Sequence, residues 1–215
     1  DLVFGPDSVN RVHDLVQAAQ TRRIVDTDFL SDTAAYPFPS DLDPEAAGQV
    51  GAFVTIQKGC DNKCTFCVVP STRGVEVSRP VDQILEEVRA LAERGVKEIT
   101  LLGQNVNSYG LKTEGGVPFS ELLRRVHAVP GVEMIRYMTS HPRDMDDALI
   151  DAHGSVPQLM PYLHLPVQTG SDRILEAMNR RHGRDLFLRL VDRLRASRPD
   201  LALSSDFIVG FPGET

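Results

Sequence analysis

Apolar residues recur along the chain with two different periods. Val9, Val12, Leu15 and Val16 follow helical spacing behind a candidate cap at Asp7 or Ser8, which predicts one amphipathic helix between Asp1 and about Gln20. From Thr21 to Gly48 no period is sustained. That stretch, with Tyr36-Pro37-Phe38-Pro39-Ser40, reads as an irregular linker with a domain boundary near residue 49. A regular alternation follows. Ala52 to Ile56 predicts a strand, and Pro80 to about Arg94 predicts a helix with Val81, Ile84, Leu85, Val88 and Leu91 on one face, ended by Gly95. Strands are expected over 98–102, 133–139, 162–165 and 201–209. Helices are expected over 119–128, 145–152, 171–178 and 184–196.

Strand followed by helix, repeated, implies a parallel sheet, because parallel neighbours need a long return connection. Either an open doubly wound sheet or a barrel satisfies the pattern. In both, functional groups sit on the loops after the C-terminal ends of strands. The distinctive sequences fall there: Gly59 to Arg73, Gly103 to Tyr109, Ser140-His141-Pro142, Pro166 to Ser171, and Gly210 to Glu214.

Composition narrows the class. With 215 residues, 41% hydrophobic and 25% charged, the chain is long and apolar enough to bury a sizeable core. No apolar run is long enough to span a bilayer and no signal-like N-terminus is present, so no membrane association and a cytoplasmic location are expected. A start at Asp1 and a stop just after a Gly-Pro-Gly-like turn suggest a fragment of a longer protein. The formal net charge of −7 argues against a surface-wide nucleic-acid footprint. The basic run from Arg180 to Arg198 is either a solvated helix face or a local supplement to RNA binding.

Three cysteines lie within eight residues, an odd count that closes no disulfide framework and points to a metal. Cys60, Cys64 and Cys67 form C-x-x-x-C-x-x-C directly after the first strand of the alternating region. Thiolates hold iron-sulfur clusters, and three of them on a four-iron cluster leave one iron open to an external molecule. Zinc is the first alternative, although it normally takes four ligands, or three and a water. Free loop thiols are the second.

The triplet, with Phe66 just before its last cysteine, resembles the signature of the radical S-adenosylmethionine superfamily. The resemblance implies a 4Fe-4S cluster on Cys60, Cys64 and Cys67 and reductive cleavage of S-adenosylmethionine to methionine and a 5′-deoxyadenosyl radical. It also implies an α/β partial (β/α)6 barrel with its sixth unit beyond Thr215. Val68 to Pro80, Leu102 to Gly110, Thr139 to Pro142, His164 to Ser171 and Ser204 to Thr215 resemble the methylthiotransferases. Within these, the Gln104-Asn105-Val106-Asn107 run is most similar to the branch that adds a methylthio group to position 2 of isopentenyladenosine beside the tRNA anticodon. The relatives acting on ribosomal protein S12 are the alternative, and a metal-stabilised RNA-binding module without catalysis is another.

By this resemblance Phe66 lies near the adenine, Gln104 and Asn105 support the methionine end, and Gln168, Ser171, Asp206 and Gly210 contact the cofactor. Ser171 also reads as a plain helix cap. Arg73 and Arg79 bind a carboxylate or RNA phosphate, or form structural ion pairs. Asp206 is expected inside the last strand. The family further implies that residues 1–49 are the tail of an N-terminal methylthiotransferase domain plus linker and that 50–215 are the incomplete radical core. A second 4Fe-4S cluster is expected on the missing N-terminal region, where one S-adenosylmethionine methylates sulfur before another supplies the radical. tRNA and a reducing electron donor are the expected partners of a monomer.

Overall fold

The computed structural model describes residues 1–30, 36, 38, 48–113 and 115–215. The linker expected between residues 21 and 48 lies mostly outside the described residues, including Pro37, Pro39 and Ser40 of its proline-rich run.

The N-terminal segment is not one helix. Strand β1 (Leu2–Phe4) leads into a 3-10 turn (Pro6–Arg11), then α1 (Val12–Ala19), then β2 (Ile24–Asp26), and β1 and β2 pair in parallel. Pro6 opens the 3-10 turn, where its missing N–H costs nothing. The spacing of Val9, Val12 and Val16 holds across the turn and α1, but all three are exposed and α1 buries no residue. Asp7 is no exposed cap. Its buried carboxylate accepts from Lys58 Nζ at 2.6 Å and from the Leu30 N–H at 2.9 Å. The Lys58 ammonium also lies 4.5 Å from the Tyr36 ring centroid and 5.6 Å from that of Phe29. These contacts fix the N-terminal segment to the start of the alternating region.

That region runs β3 (Gly51–Thr55), β4 (Gln57–Lys58), α2 (Val69–Arg73), β5 (Val77–Ser78), α3 (Val81–Glu93), β6 (Glu98–Leu102), α4 (Phe119–His127), β7 (Met134–Tyr137), α5 (Asp147–Ser155), β8 (Tyr162–His164), α6 (Asp172–Ala177), α7 (Arg184–Ser197) and β9 (Ala202–Ser204). β3, β6 and β7 form a parallel ladder in sequence order, with Phe53 opposite Thr100 and Thr100 opposite Arg136. A parallel bridge joins Ile135 to Leu159, and β8 pairs in parallel with β9. Short β4 and β5 form an antiparallel clip beneath the cysteine loop. The α/β parallel organisation expected from the periodicity is therefore present.

The core lies between the sheet and its helices. Val54, Ile99, Leu101, Ile135 and Leu163 meet Ile84, Val88, Leu122, Leu123, Val126, Leu149, Leu190 and Leu194, all nearly without exposure. Burying each such side chain contributes roughly 1.5–3 kcal/mol relative to leaving it in water. Gly95 does end α3, at φ +92 and with its N–H on the Ala92 carbonyl. The helix expected over 145–152 starts later, because Pro142–Asp144 forms a 3-10 turn and Asp146 then caps α5 by accepting the Leu149 N–H at 2.7 Å. The last strand is shorter than expected: only Ala202–Ser204 pairs with β8, and Asp206 lies beyond it. Past that point the pairing continues only as a bridge between Gln168 and Phe207.

Candidate functional site

The loops after β4, β6, β7 and β8 converge on one cavity of about 220 Å³. Cys60, Cys64 and Cys67 line it together with Phe66, Gln104, Asn105, Gln168 and Asp206. Eight residues singled out in the sequence, spread over nearly 150 positions, thus share one concave surface.

The cysteine loop is held from both ends. Gly59 has φ +74, and a Cβ built there stands 2.0 Å from the Val75 carbonyl oxygen, so only glycine fits this close approach. Its N–H donates to Gln104 Oε1 at 2.5 Å, which ties the start of the loop to the loop after β6. Further on, the Thr65 N–H and hydroxyl donate to the Met178 and Ala177 carbonyls at the end of α6, and Asn179 Nδ2 donates to the Lys63 carbonyl. The Cys67 N–H closes the loop on the Cys64 carbonyl. Burial pushes the Cys60 thiol up, opposed by a backbone N–H at Asn62.

Among the described residues, Arg180 is the one Lys or Arg in the cavity wall. It is nearly fully buried, with one guanidinium nitrogen 3.5 Å from Cys64 Sγ and another donating to the Pro166 carbonyl at 2.9 Å. Its Nε is buried without a hydrogen-bond partner. The run from Arg180 to Arg198 is consequently not one solvated face: α7 begins at Arg184, and Arg180 and His182 precede it as buried residues. Helical charge patterning hides this, because Asn179 and Arg181, at φ +55 and +56, take left-handed rather than helical backbone there.

Asn105 is almost wholly buried. Its Nδ2 donates to Asp144 Oδ2 at 2.7 Å, while its Oδ1 has no partner. The Asp144 carboxyl is held below its ordinary range: burial opposes this, but hydrogen bonds from Arg143 and Asn105 outweigh it. Asn107 grips the next strand loop through both amide atoms, accepting the His141 N–H and donating to the His141 carbonyl, each at 2.9 Å. His141 lines the cavity and packs edge-on against His182, with ring centroids 5.6 Å apart. Burial, and then the charge of Arg180, pull His141 down to about 3, which keeps it neutral.

Thr139 and Gln168 border the cavity with φ +65 and +73, unusual values for residues that carry a Cβ. Such backbone outliers concentrate at functional sites. Gln168 is pinned by its N–H on the Asp206 carbonyl and its own carbonyl under the Ile208 N–H. Asp206 is no buried strand carboxylate; its side chain is largely exposed and sits 3.2 Å from His164 Nε2.

Four expected residues stand elsewhere. Ser171 is at the N-cap position of α6, makes no side-chain capping bond and does not line the cavity. Gly210 is exposed at φ +74 with open space around it. Arg73 is exposed at the C-terminal end of α2. Arg79, expected either to bind an oxyanion or to form a structural ion pair, has its buried guanidinium paired with Glu87 and donating to the Thr55 carbonyl. Asn62, Val69, Thr139, Ser140, His141, Pro166 and Arg180 complete the lining. Ser140-His141-Pro142 and Pro166 lay in loops marked by the strand pattern, whereas Arg180 was hidden within a basic run.

The donor set suits an iron-sulfur cluster and an amino-acid ligand. Three thiols share the cavity with a buried guanidinium, and Asn105 Oδ1 is a desolvated acceptor awaiting a donor. Among the described residues no three His, Cys, Asp or Glu side chains gather at single-ion distance. Cluster thiolates bind separate irons and need not converge on one point.

Residues 54–215 match the family described as the Radical SAM superfamily. Over its whole length the chain is 54% identical to a tRNA-2-methylthio-N(6)-dimethylallyladenosine synthase of Cereibacter sphaeroides, covering 48% of that protein. It is 53% identical to the like-named protein of Anaeromyxobacter sp. (strain K), covering 45% of it. The chain therefore spans about half the length of the curated relatives it matches. Among solved structures, the radical S-adenosylmethionine methyltransferase TsrM from Kitasatospora setae aligns over 84% of this chain and 35% of its own at 20% identity, with a TM-score of 0.61. The cobalamin-dependent S-adenosylmethionine radical enzyme OxsB covers 73% of this chain, and 23% of its own, at 14% identity and a TM-score of 0.59. These two likenesses concern the fold alone.

Proposed function

The chain belongs to the radical SAM superfamily, and on that premise we propose that it is the catalytic core of a methylthiotransferase acting on position 2 of isopentenyladenosine in tRNA. The observation that carries this is the cavity that joins Cys60, Cys64 and Cys67 to Arg180, Gln104 and Asn105, in a chain matched from end to end by the synthases of that name.

Cys60, Cys64 and Cys67 are the residues that would hold a 4Fe-4S cluster. Bound there, the cluster supplies the electron that cleaves S-adenosylmethionine to methionine and a 5′-deoxyadenosyl radical. The chain's own residues do the positioning. Gln104 fixes the start of the cysteine loop through the Gly59 N–H. Arg180 sets positive charge beside Cys64 and stabilises thiolate and carboxylate groups in a poorly solvated wall. Asn105 Oδ1 accepts from the ligand's ammonium or a hydroxyl, which relieves a buried unsatisfied oxygen. Phe66 presents a half-exposed ring to stack on a purine, and Gln168 offers its side chain at the opposite wall. Asp206 accepts from a ribose hydroxyl or holds His164. Ser171, Gly210 and Arg73 do not line the cavity.

Residues 50–215 form part of a core of the partial (β/α)6 barrel type, and residues 1–49 are the tail of a preceding methylthiotransferase domain. The rest of the longer protein carries a second cluster as the sulfur donor and most of the affinity for tRNA, which accords with the net charge of −7 on this piece. An external reductant feeds a cytoplasmic monomer. The full-length protein, cluster-loaded and supplied with isopentenylated tRNA or ribosomal protein S12 in separate anaerobic reactions, tests the assignment. Mass spectrometry should find the methylthio group on the tRNA adenosine. Its appearance on S12 alone, or on neither, overturns the assignment.

A further inference from the structure

Glu76 is a buried carboxyl outside the lining of the cysteine cavity. It lies at the crossing of three loops, with only 3% of its side chain exposed. Its N–H donates to Asp61 Oδ1 at 3.0 Å, next to Cys60 in the cysteine loop. Its Oε2 stands 2.7 Å from Ser108 Oγ, in the loop after β6 that also carries Gln104 and Asn105.

The hydrogens around Ser108 determine the state of that carboxyl. A serine hydroxyl donates one hydrogen bond and accepts two. Ser108 Oγ has three polar neighbours: Gln57 Nε2 at 3.2 Å, the Asn105 carbonyl at 2.8 Å and Glu76 Oε2 at 2.7 Å. Gln57 Nε2 donates and the Asn105 carbonyl accepts. If Glu76 is a carboxylate, two acceptors at hydrogen-bond distance compete for one hydroxyl hydrogen, and one short oxygen–oxygen contact has no hydrogen in it. If Glu76 is a carboxylic acid, its O–H donates to Ser108, Ser108 donates to Asn105, Gln57 donates to Ser108, and every contact holds a hydrogen. Turning the Gln57 amide around adds a third acceptor and sharpens the conflict.

We propose that Glu76 is a neutral carboxylic acid whose O–H donates to Ser108 Oγ, and that in this form it is the positioning residue tying the cysteine loop to the Gln104–Asn105 loop. The charges facing it are compatible. Lys112 Nζ is 3.9 Å away, but that ammonium is half exposed and is already bonded to Asp61. Asp61 from the cysteine loop and Asp144 from the turn after β7 both disfavour a further negative charge. Burial, the largest influence, likewise favours the protonated form, against the Ser108 bond and Lys112. A neutral Glu76 also adds no negative charge beside a cysteine loop that must hold thiolates. This last consequence rests on the cluster assignment, whereas the protonation state does not.

Infrared difference spectra of the full-length, cluster-loaded protein at pH 7, wild type minus Glu76→Gln, test the proposal in H₂O and D₂O. The expected result is a protonated carboxyl C=O band that is absent from Glu76→Gln and moves down in D₂O. A difference confined to carboxylate bands overturns the protonation state. The same band in wild type alone, lost as pH is raised, serves if Glu76→Gln does not fold. Positioning is read by S-adenosylmethionine cleavage and the electron paramagnetic signal of the reduced cluster. Glu76→Gln, whose amide donates as the acid does, should keep both. Glu76→Leu should lower cleavage about tenfold, the scale of the one buried side-chain bond between Glu76 and Ser108 that it removes. Wild-type cleavage and signal in Glu76→Leu, or equal losses in both variants, overturn the positioning role. Absence of cleavage in the wild type contradicts the cluster assignment while leaving the infrared result intact.

Discussion

The guanidinium of Arg180 stands 3.5 Å from the sulfur of Cys64, and a second nitrogen of the same group is bonded to the Pro166 carbonyl. One buried cation thus joins the cysteine loop to the loop after β8. Arg180→Met removes charge and fork together and should weaken S-adenosylmethionine binding by about tenfold or more, the usual scale for a lost charge-assisted hydrogen bond. Arg180→Lys should recover only part of it, because a single ammonium does not reproduce the planar fork. Equilibrium binding to the cluster-loaded protein checks both. Wild-type affinity in Arg180→Met would remove Arg180 from the site.

Gly59 precedes the first cysteine at φ +74, with the Val75 carbonyl where a Cβ belongs. Gly59→Ala should displace the loop and leave reconstituted protein with far less iron, while Gly210→Ala, which meets no atom, should retain iron and lose only about 1 kcal/mol for its left-handed backbone. Iron analysis and thermal melts distinguish the two.

The Lys58–Asp7 pair ties the N-terminal segment to β4, with side chains 10% and 1% exposed. Removing one partner of a buried pair leaves an uncompensated charge, so Lys58→Met should destabilise by roughly 3–5 kcal/mol. Lys58→Met combined with Asp7→Asn should recover part of that loss. Denaturant unfolding of the three proteins provides the comparison.

Tyr137 and His153 share a fully buried hydrogen bond of 2.6 Å. Burial, with a smaller contribution from Arg198, pulls His153 down to about 4. The unfolded chain therefore binds a proton below the ordinary histidine range that the folded chain resists. Stability should be fully present above about pH 6.5 and fall by on the order of 1 kcal/mol per pH unit toward pH 4. Unfolding midpoints between pH 7 and pH 4.5 should show at least this slope, and His153→Leu with Tyr137→Phe should reduce it by about 1 kcal/mol per pH unit, leaving the parallel contribution of His141.

Elements with strong periodicity were legible from the sequence. α3, β6 and α4 lie within a residue or two of their expected bounds, because each packs a continuous apolar face on the same core. The cysteine triplet was legible because three thiols in eight residues have few other uses. The N-terminal β1 and β2 were not, since three-residue strands show no period and the helical spacing of Val9, Val12 and Val16 runs across a 3-10 turn. Arg180 was missed for a different reason. It is buried between two residues of left-handed backbone, Asn179 and Arg181, which a basic run does not announce. Arg79 illustrates the reverse: a guanidinium near the cysteines in sequence is drawn inward by Glu87.

The central claim is that Cys60, Cys64 and Cys67 hold the cluster that opens S-adenosylmethionine. Its most direct measurement is anaerobic reconstitution of the full-length protein and of each cysteine changed singly to alanine, followed by quantifying 5′-deoxyadenosine and methionine released under a strong reductant. The wild type should release both in equal amounts, and all three variants should release neither. Undiminished release from any one of Cys60→Ala, Cys64→Ala or Cys67→Ala contradicts the account.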